Sequence, residues 1–298
     1  MASQEEKHHT FAVLQALLVT FLWSTSFVII KKMLIEIPPL TFAGLRYLMA
    51  SVCLLPFLSG RKYRVELGSI NRATWLNLLL LGLTFYVITQ GAQFVGLSLL
   101  PSATVSLMLN FTPLVVVALG AVVLKERPSL RQIGGILLFL GGTGIFFFPS
   151  ASVSAQGKGI AVMALGVLAN AFSSVLGRRL NSRKTLSPLT ITVVSMGIGS
   201  VILTSAGIIR DGFPRLSPSS WLALIWLAAV NTAFAFTLWN RTLRTLTAME
   251  SSVINGTMLI QIAVLAWFFL GEELTAFKIA GMVVASAGAV LVQLKKRR

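Results

Sequence analysis

Ten stretches of apolar residues, each about 20 long, alternate with short polar breaks along the 298-residue chain. They fall at residues 11–30, 40–58, 74–97, 102–123, 130–148, 159–177, 189–209, 220–240, 248–269 and 277–294. Each run is long enough to span a bilayer as a helix, and the pattern predicts an all-α integral membrane protein with ten crossings. The widest break, PSASVSAQGK at residues 149–158, carries the Pro, Ser and Gly of a solvated linker.

The last five stretches repeat the first five. At an offset of 146 residues, Trp75, Ser106, Leu119, Leu124, Glu126, Ile133, Gly135 and Gly142 recur as Trp221, Ser252, Leu265, Leu270, Glu272, Ile279, Gly281 and Gly288. Pro39-Leu40-Thr41 recurs as Pro188-Leu189-Thr190 at an offset of 149. The repeats cover residues 11–148 and 159–294. Five crossings is an odd number, so the second repeat enters from the opposite face: two inverted five-helix repeats, the usual architecture of alternating-access transporters.

Composition agrees with a lipid solvent. Hydrophobic residues make up 55% of the chain and charged residues 11%, against about a quarter charged in soluble proteins. The net charge of +16 would in a soluble chain point to nucleic acid, but Lys and Arg lie almost entirely between the apolar runs. With the N-terminus inside, Lys7, Arg61, Lys62, Arg64, Arg72, Lys125, Arg127, Arg131, Arg178, Arg179, Arg183, Lys184, Arg241, Arg244 and Lys295 to Arg298 are cytoplasmic. That is 18, against 6 outside: Lys31, Lys32, Lys158, Arg210, Arg215 and Lys278. This asymmetry places both termini in the cytoplasm of a prokaryotic cell membrane and argues against a nucleic-acid partner. No Ala-x-Ala cleavage site follows the first stretch, which is expected to remain as a signal anchor. Cys53 is the one cysteine, so neither an intramolecular disulfide nor a cysteine metal cluster can form.

Several segments carry a resemblance: Trp23-Ser24 followed by Lys31; LRYLMAS at residues 45–51; GLSLLPSATVSLMLNFTP leading into the fourth stretch; and LKERPSLRQIGG at residues 124–135. Together they resemble the EamA family of the drug/metabolite transporter superfamily, from about residue 12 to 294. The resemblance implies ten helices in two inverted repeats, a central polar cavity and export or exchange of small metabolites, with aromatic and other amino-acid exporters among the members. The second repeat has Leu259 where the first has Pro113.

Candidate site residues are those that a lipid-facing helix does not explain. Asn110 and Pro113 sit mid-way along the fourth stretch, where proline frees the Leu109 carbonyl; Asn255-Gly256-Thr257 sits at the matching level of the ninth. Interruptions at corresponding places in two repeats point to a substrate site, with Pro113 and Gly256 as kinks; helix packing is the alternative. Tyr86, Gln90 and Gln93 share a face of the third helix by their spacing. Asn170 occupies in the sixth the place of Trp23 in the first, and Asn231 and Trp239 form a mixed face on the eighth. Amides with aromatics suit a small neutral or zwitterionic substrate. Arg46, deep in the second stretch, either snorkels or pairs with helix-end carbonyls, or it meets a substrate carboxylate. Glu250 has the capping-box spacing from Thr247 and reads as a cap before a proton carrier. Gly135, Gly142, Gly281 and Gly288 are expected at close helix contacts, within a protomer or between protomers, so a monomer and a homodimer both remain open.

Rival classes lack their reagents. One Asp, two tail histidines and no Gly-x-Ser-x-Gly leave a membrane enzyme without catalytic residues, metal or cofactor. A channel would show a carbonyl filter or a ring of like charge. Organic-phosphate exchange calls for several intramembrane cations, and Arg46 is alone. The sequence therefore favours export of amino acids, aromatic or otherwise neutral, with a broad-specificity drug exporter and a lipid-carrier flippase as alternatives.

Overall fold

A computed structural model describes residues 2–123, 129–148, 156–182, 185–242, 245–246 and 248–293. All regular structure among them is helical: α1 (Ala2–Met33), α2 (Pro39–Leu54, closed by a 3-10 turn at Leu55–Leu58), α3 (Arg61–Gly68), α4 (Arg72–Leu81), α5 (Gln90–Leu99), α6 (Ser102–Leu109), α7 (Thr112–Val123), α8 (Leu130–Phe147), α9 (Gly157–Ser182), α10 (Pro188–Asp211), α11 (Pro218–Ala228), α12 (Ala235–Thr242), α13 (Ala248–Leu270) and α14 (Ala276–Gln293). Seven continuous helical stretches have the length and apolarity of membrane spans, and three shorter apolar helices, Ser102–Val116, Ile254–Leu270 and Ala276–Val292, complete the ten. The protein is an all-α, multi-pass membrane protein. The short helix α3, in the loop after the second crossing, was not foreseen from the apolar pattern. The linker centred on residues 149–155, the loop 124–128 with Glu126, and Thr247 with the Glu250 side chain lie outside the described residues, so the capping box expected there does too.

Helix starts follow from local chemistry. Asn71, Ser129, Ser187 and Ser217 each accept the amide three residues ahead, satisfying a donor that the first turn leaves open. Pro188 and Pro218 sit in the first turn, where a missing N–H costs nothing.

The chain divides into two compact units. The first comprises Met1–Ile29, Leu100–Lys158 and Phe234–Arg298; the second comprises Ile30–Leu99 and Gly159–Ala233. Neither is a sequence half, since each draws helices from both repeats.

In the first unit α8 and α14 pack backbone to backbone. A Cβ built on Gly135 would come within 3.0 Å of Val292 and Gly288, and one on Gly142 within 3.0 Å of Ala285 and Gly281. The reverse contacts place Gly281 against Phe146 and Gly288 against Phe139. The two helices are therefore antiparallel, and exchanging the repeats (135 for 281, 142 for 288) maps the contact onto itself. Phe139, Phe146, Met282, Ala285 and Ala289 close the core around the seam, with Leu107, Leu259 and Ala263 from α6 and α13. In the second unit α2 and α10 cross with Gly44 against Thr204 and Gly207 against Thr41, again closer than any Cβ would permit. Such close approach is how membrane helices gain packing contact where lipid supplies no hydrophobic drive.

Three loop carboxylates tie each unit together at helix starts. Glu36 Oε2 accepts from the Ser217 and Ser220 hydroxyls at 2.8 and 2.6 Å. Glu66 Oε2 accepts from the Ser187 amide at 3.0 Å and the Thr190 hydroxyl at 2.6 Å. Glu272 accepts from the amides of Ser102 and Ala103, at 2.8 and 3.4 Å. Negative charge at a helix N-terminus is favourable in itself. These ties also test the crossing count. They join loop 1/2 to loop 7/8, loop 2/3 to loop 6/7, and loop 3/4 to loop 9/10, so an even number of crossings separates each pair, as ten alternating spans require.

Two of these carboxyls titrate below their ordinary 4.5. The Ser220 and then the Ser217 hydroxyl lower Glu36. For Glu66 desolvation is the largest single influence and acts upward, but the bonds from Thr190 and Ser187, with Lys62 nearby, together outweigh it. A carboxyl lowered in the folded state adds stability above its unfolded value and loses it as pH falls through the folded value. Thermal stability in detergent should therefore drop below about pH 4.5, and the drop should be shallower in a Glu36→Gln/Glu66→Gln variant. Identical profiles for variant and wild type would show that these ties contribute nothing.

Candidate functional site

The polar residues of the second unit gather around α2. Arg46, the eighth residue of that helix, is only 4% exposed, so it does not snorkel. Its Nε donates to Thr232 Oγ1 at 3.0 Å, and the Thr232 hydroxyl passes its own proton to the Leu227 carbonyl at 2.8 Å. Neighbouring Tyr47 lies under the guanidinium, 5.4 Å from ring centre to Cζ, and donates to Gln90 Oε1 at 2.6 Å. The Tyr47 and Tyr86 rings meet edge to face at 5.4 Å. Arg46, Tyr47, Tyr86, Thr89, Gln90, Asn231 and Thr232 are all buried. A membrane-embedded arginine costs about 2.5–3.5 kcal/mol on insertion scales, and one neutral hydroxyl offsets only part of that.

Two of these groups sit on unusual backbone. Between α4 and α5 the third crossing widens into a π-helix over Gly82–Thr89, and between α11 and α12 the eighth does so over Ala229–Phe234. The repeat offset of 146 carries 82–89 onto 228–235, so the two segments are equivalent. In each, a threonine hydroxyl reaches the carbonyl five residues back: Thr89 to Thr84 at 2.8 Å, and Thr232 to Leu227. π-segments inside membrane helices accumulate at functional sites. They also change the reading of the third helix. The spacing of Tyr86, Gln90 and Gln93 assumed uniform α geometry; the wider turn shifts the register, so that Tyr86 and Gln90 are buried while Gln93 is only half-buried. Asn170 is half-buried on α9, one turn from Gly166, whose Cα packs on Ala92.

In the first unit Trp23 stacks at a tilt on Phe236 and Trp239, each 5.3 Å away. Its Nε1–H is buried and finds no acceptor among the described residues. At the next residue, Ser24 Oγ lies 2.9 Å from Gln261 Oε1, and Gln261 Nε2 donates to Thr257 and Thr20 at 3.0 and 3.4 Å. This ladder between α1 and α13 escaped the sequence reading, although a lone glutamine in an apolar run was its signal. The fourth crossing breaks at Asn110-Phe111, between α6 and α7, with Pro113 in the first turn of α7. The Asn110 amide donates back to the Ser106 carbonyl at 2.9 Å, closing α6. At Gly256 the helix is not interrupted: α13 runs from Ala248 to Leu270, and Asn255 is exposed on it. Glycine without proline leaves every hydrogen bond of the helix in place.

Lys31 belongs to the second unit, where its Nζ donates to the Leu97 carbonyl at 2.6 Å and caps the end of α5. Among the described residues no group of three or more His, Cys, Asp or Glu could hold a metal.

Comparison with known proteins gives a consistent answer. The profile of the EamA-like transporter family matches residues 10–148 and again 157–294. A probable amino-acid metabolite efflux pump of Salmonella typhimurium is 28% identical over 92% of this chain and 91% of its own length. Its namesake in Escherichia coli is 26% identical with the same coverage. An S-adenosylmethionine/S-adenosylhomocysteine transporter of Chlamydia trachomatis is 25% identical over 88% of this chain and 83% of its own. A solved crystal structure, 19% identical and covering 96% of both chains, superposes with a TM-score of 0.65 and shares the fold. With two matches that together span most of its length, the chain belongs to the EamA-like transporter family, and is a membrane transporter rather than an enzyme.

Proposed function

We propose that this transporter exports or exchanges small metabolites, amino acids first, by alternating access between its inverted repeats. The observation that carries the reading is the buried set of amide, hydroxyl and guanidinium groups on α2 and the two π-segments. Lipid-facing helices have no use for such groups, and small-molecule sites place a few of them among apolar walls. Arg46, Tyr86, Gln90, Gln93, Asn170 and Asn231 are the proposed contacts of the second unit. Trp23, Asn110, Trp239 and Asn255 are those of the first, with the break at Pro113 as a flexible point. The names of the relatives support amino-acid cargo, and S-adenosylmethionine is itself an amino-acid derivative. Both termini are proposed to be cytoplasmic on the 18 to 6 distribution of basic residues.

The test is uptake by proteoliposomes of a labelled panel of amino acids, nucleosides, sugars and sugar phosphates. Saturable uptake of one or more amino acids, competed by excess unlabelled compound, is expected. Uptake of other classes with none of the amino acids would refute the amino-acid reading. Impermeant labelling of a cysteine placed at position 154 in intact cells, on a Cys53-free background, checks the orientation; labelling at position 62 instead would reverse it.

A further inference from the structure

We propose that the Arg46 guanidinium, assisted by the Gln90 amide, recognises a carboxylate on the transported molecule. The substrates would then be carboxylic acids and zwitterions, and not neutral or purely cationic compounds. The inference rests on the transport reading above and narrows it.

The hydrogen bonds around α2 leave donors without acceptors. Arginine has five N–H donors in a planar fork and no acceptor. Arg46 uses Nε on Thr232, and the Thr232 proton is already placed on Leu227, so that hydroxyl can only accept from it. No other hydrogen bond or ion pair involving the guanidinium occurs among the described residues. Gln90 Oε1 accepts from the Tyr47 hydroxyl, and no described residue accepts from its two amide N–H groups. Arg46 and Gln90 flank the same tyrosine: the guanidinium carbon stands 5.4 Å from the Tyr47 ring centre, and Gln90 lies at the Tyr47 hydroxyl.

Among the described residues no carboxylate meets these donors. Glu36, Glu66 and Glu272 are committed to helix starts in the loops. Asp211 is beside Arg210 at the end of α10, and Glu273 is in the loop before α14. A buried cation of this kind needs a counter-charge, and a planar carboxylate matches the two-pronged fork. The charge balance also favours a carboxylate over a phosphate ester, because one guanidinium neutralises one negative charge and the described residues supply no second intramembrane cation beside it.

The test uses the full-length protein in proteoliposomes and compares competitors that differ only at the two ends of one skeleton: phenylalanine and leucine, their amides, and their des-amino acids 3-phenylpropionate and 4-methylpentanoate. For the wild type the acids should compete at least about tenfold more strongly than the amides, the weight of one charge-assisted contact. Arg46→Gln should erase that ratio, whereas Arg46→Lys should keep its direction with weaker binding. Equal competition by amide and acid in the wild type overturns the proposal, and so does a ratio that survives in Arg46→Gln. If Arg46→Gln fails to fold, the wild-type ratio decides alone. Amino-acid uptake without preference for acid over amide would sink this inference and leave the export reading standing. If the panel shows no amino-acid uptake and none of these acids competes, both fall.

Discussion

Gly142→Ala should severely destabilise the protein, while Gly141→Ala, one residue earlier on the same helix, should be harmless. A methyl on Gly142 would run into the backbone of Ala285 and Gly281, which cannot rotate aside as a side chain could. Overpacking of a tight contact costs about 1–3 kcal/mol, and the upper end applies where backbone meets backbone. A Cβ at Gly141 meets nothing within 4 Å, and replacing a helical glycine by alanine gains about 0.5–1 kcal/mol. Gly135 and Gly134 form a second pair of the same kind. The check is thermal unfolding of the four alanine variants in detergent, followed by size-exclusion chromatography. Equal melting of Gly141→Ala and Gly142→Ala would show that α8 and α14 are not held at this distance.

Thr232→Val should be nearly as damaging, and for a chemical reason. Valine keeps the β-branched shape but removes the one described acceptor of the Arg46 guanidinium, leaving a buried charge with less compensation. Hydrogen bonds to charged groups contribute about 1.5–3 kcal/mol. It also removes the bond to Leu227 that accompanies the π-segment. Thr232→Ser retains the hydroxyl and should remain close to wild type. Melting temperatures of both variants, with amino-acid uptake measured beside them, separate the two effects. A Thr232→Val protein as stable as Thr232→Ser would mean that Arg46 draws its compensation from elsewhere.

The helices were legible because apolar run length answers directly to bilayer thickness, and most spans agree with the structure to within a few residues. The break in the fourth crossing was legible too, since proline carries its consequence in its covalent structure. What escaped the sequence depended on spatial partners. Thr232 is an ordinary threonine until Arg46, 186 residues away, is found on it. Gln261 became informative only once Ser24 and Thr20 stood opposite. The π-segments were hidden for a different reason: a run apolar on all sides has no periodicity from which an extra residue per turn could be noticed. At Gly256 no interruption followed, because a glycine permits a break in a helix without imposing one.

The seam between α8 and α14 has one more consequence. A contact that maps onto itself when its two sides are exchanged is isologous, the type that joins identical subunits about a two-fold axis. Here both sides belong to one polypeptide, so the fifth helix of each repeat is covered by its own copy. That surface is therefore spent. If two whole chains associate, they must do so through some other face, and a fragment carrying a single repeat would expose a glycine-lined helix whose matching partner is a second fragment inserted the other way up.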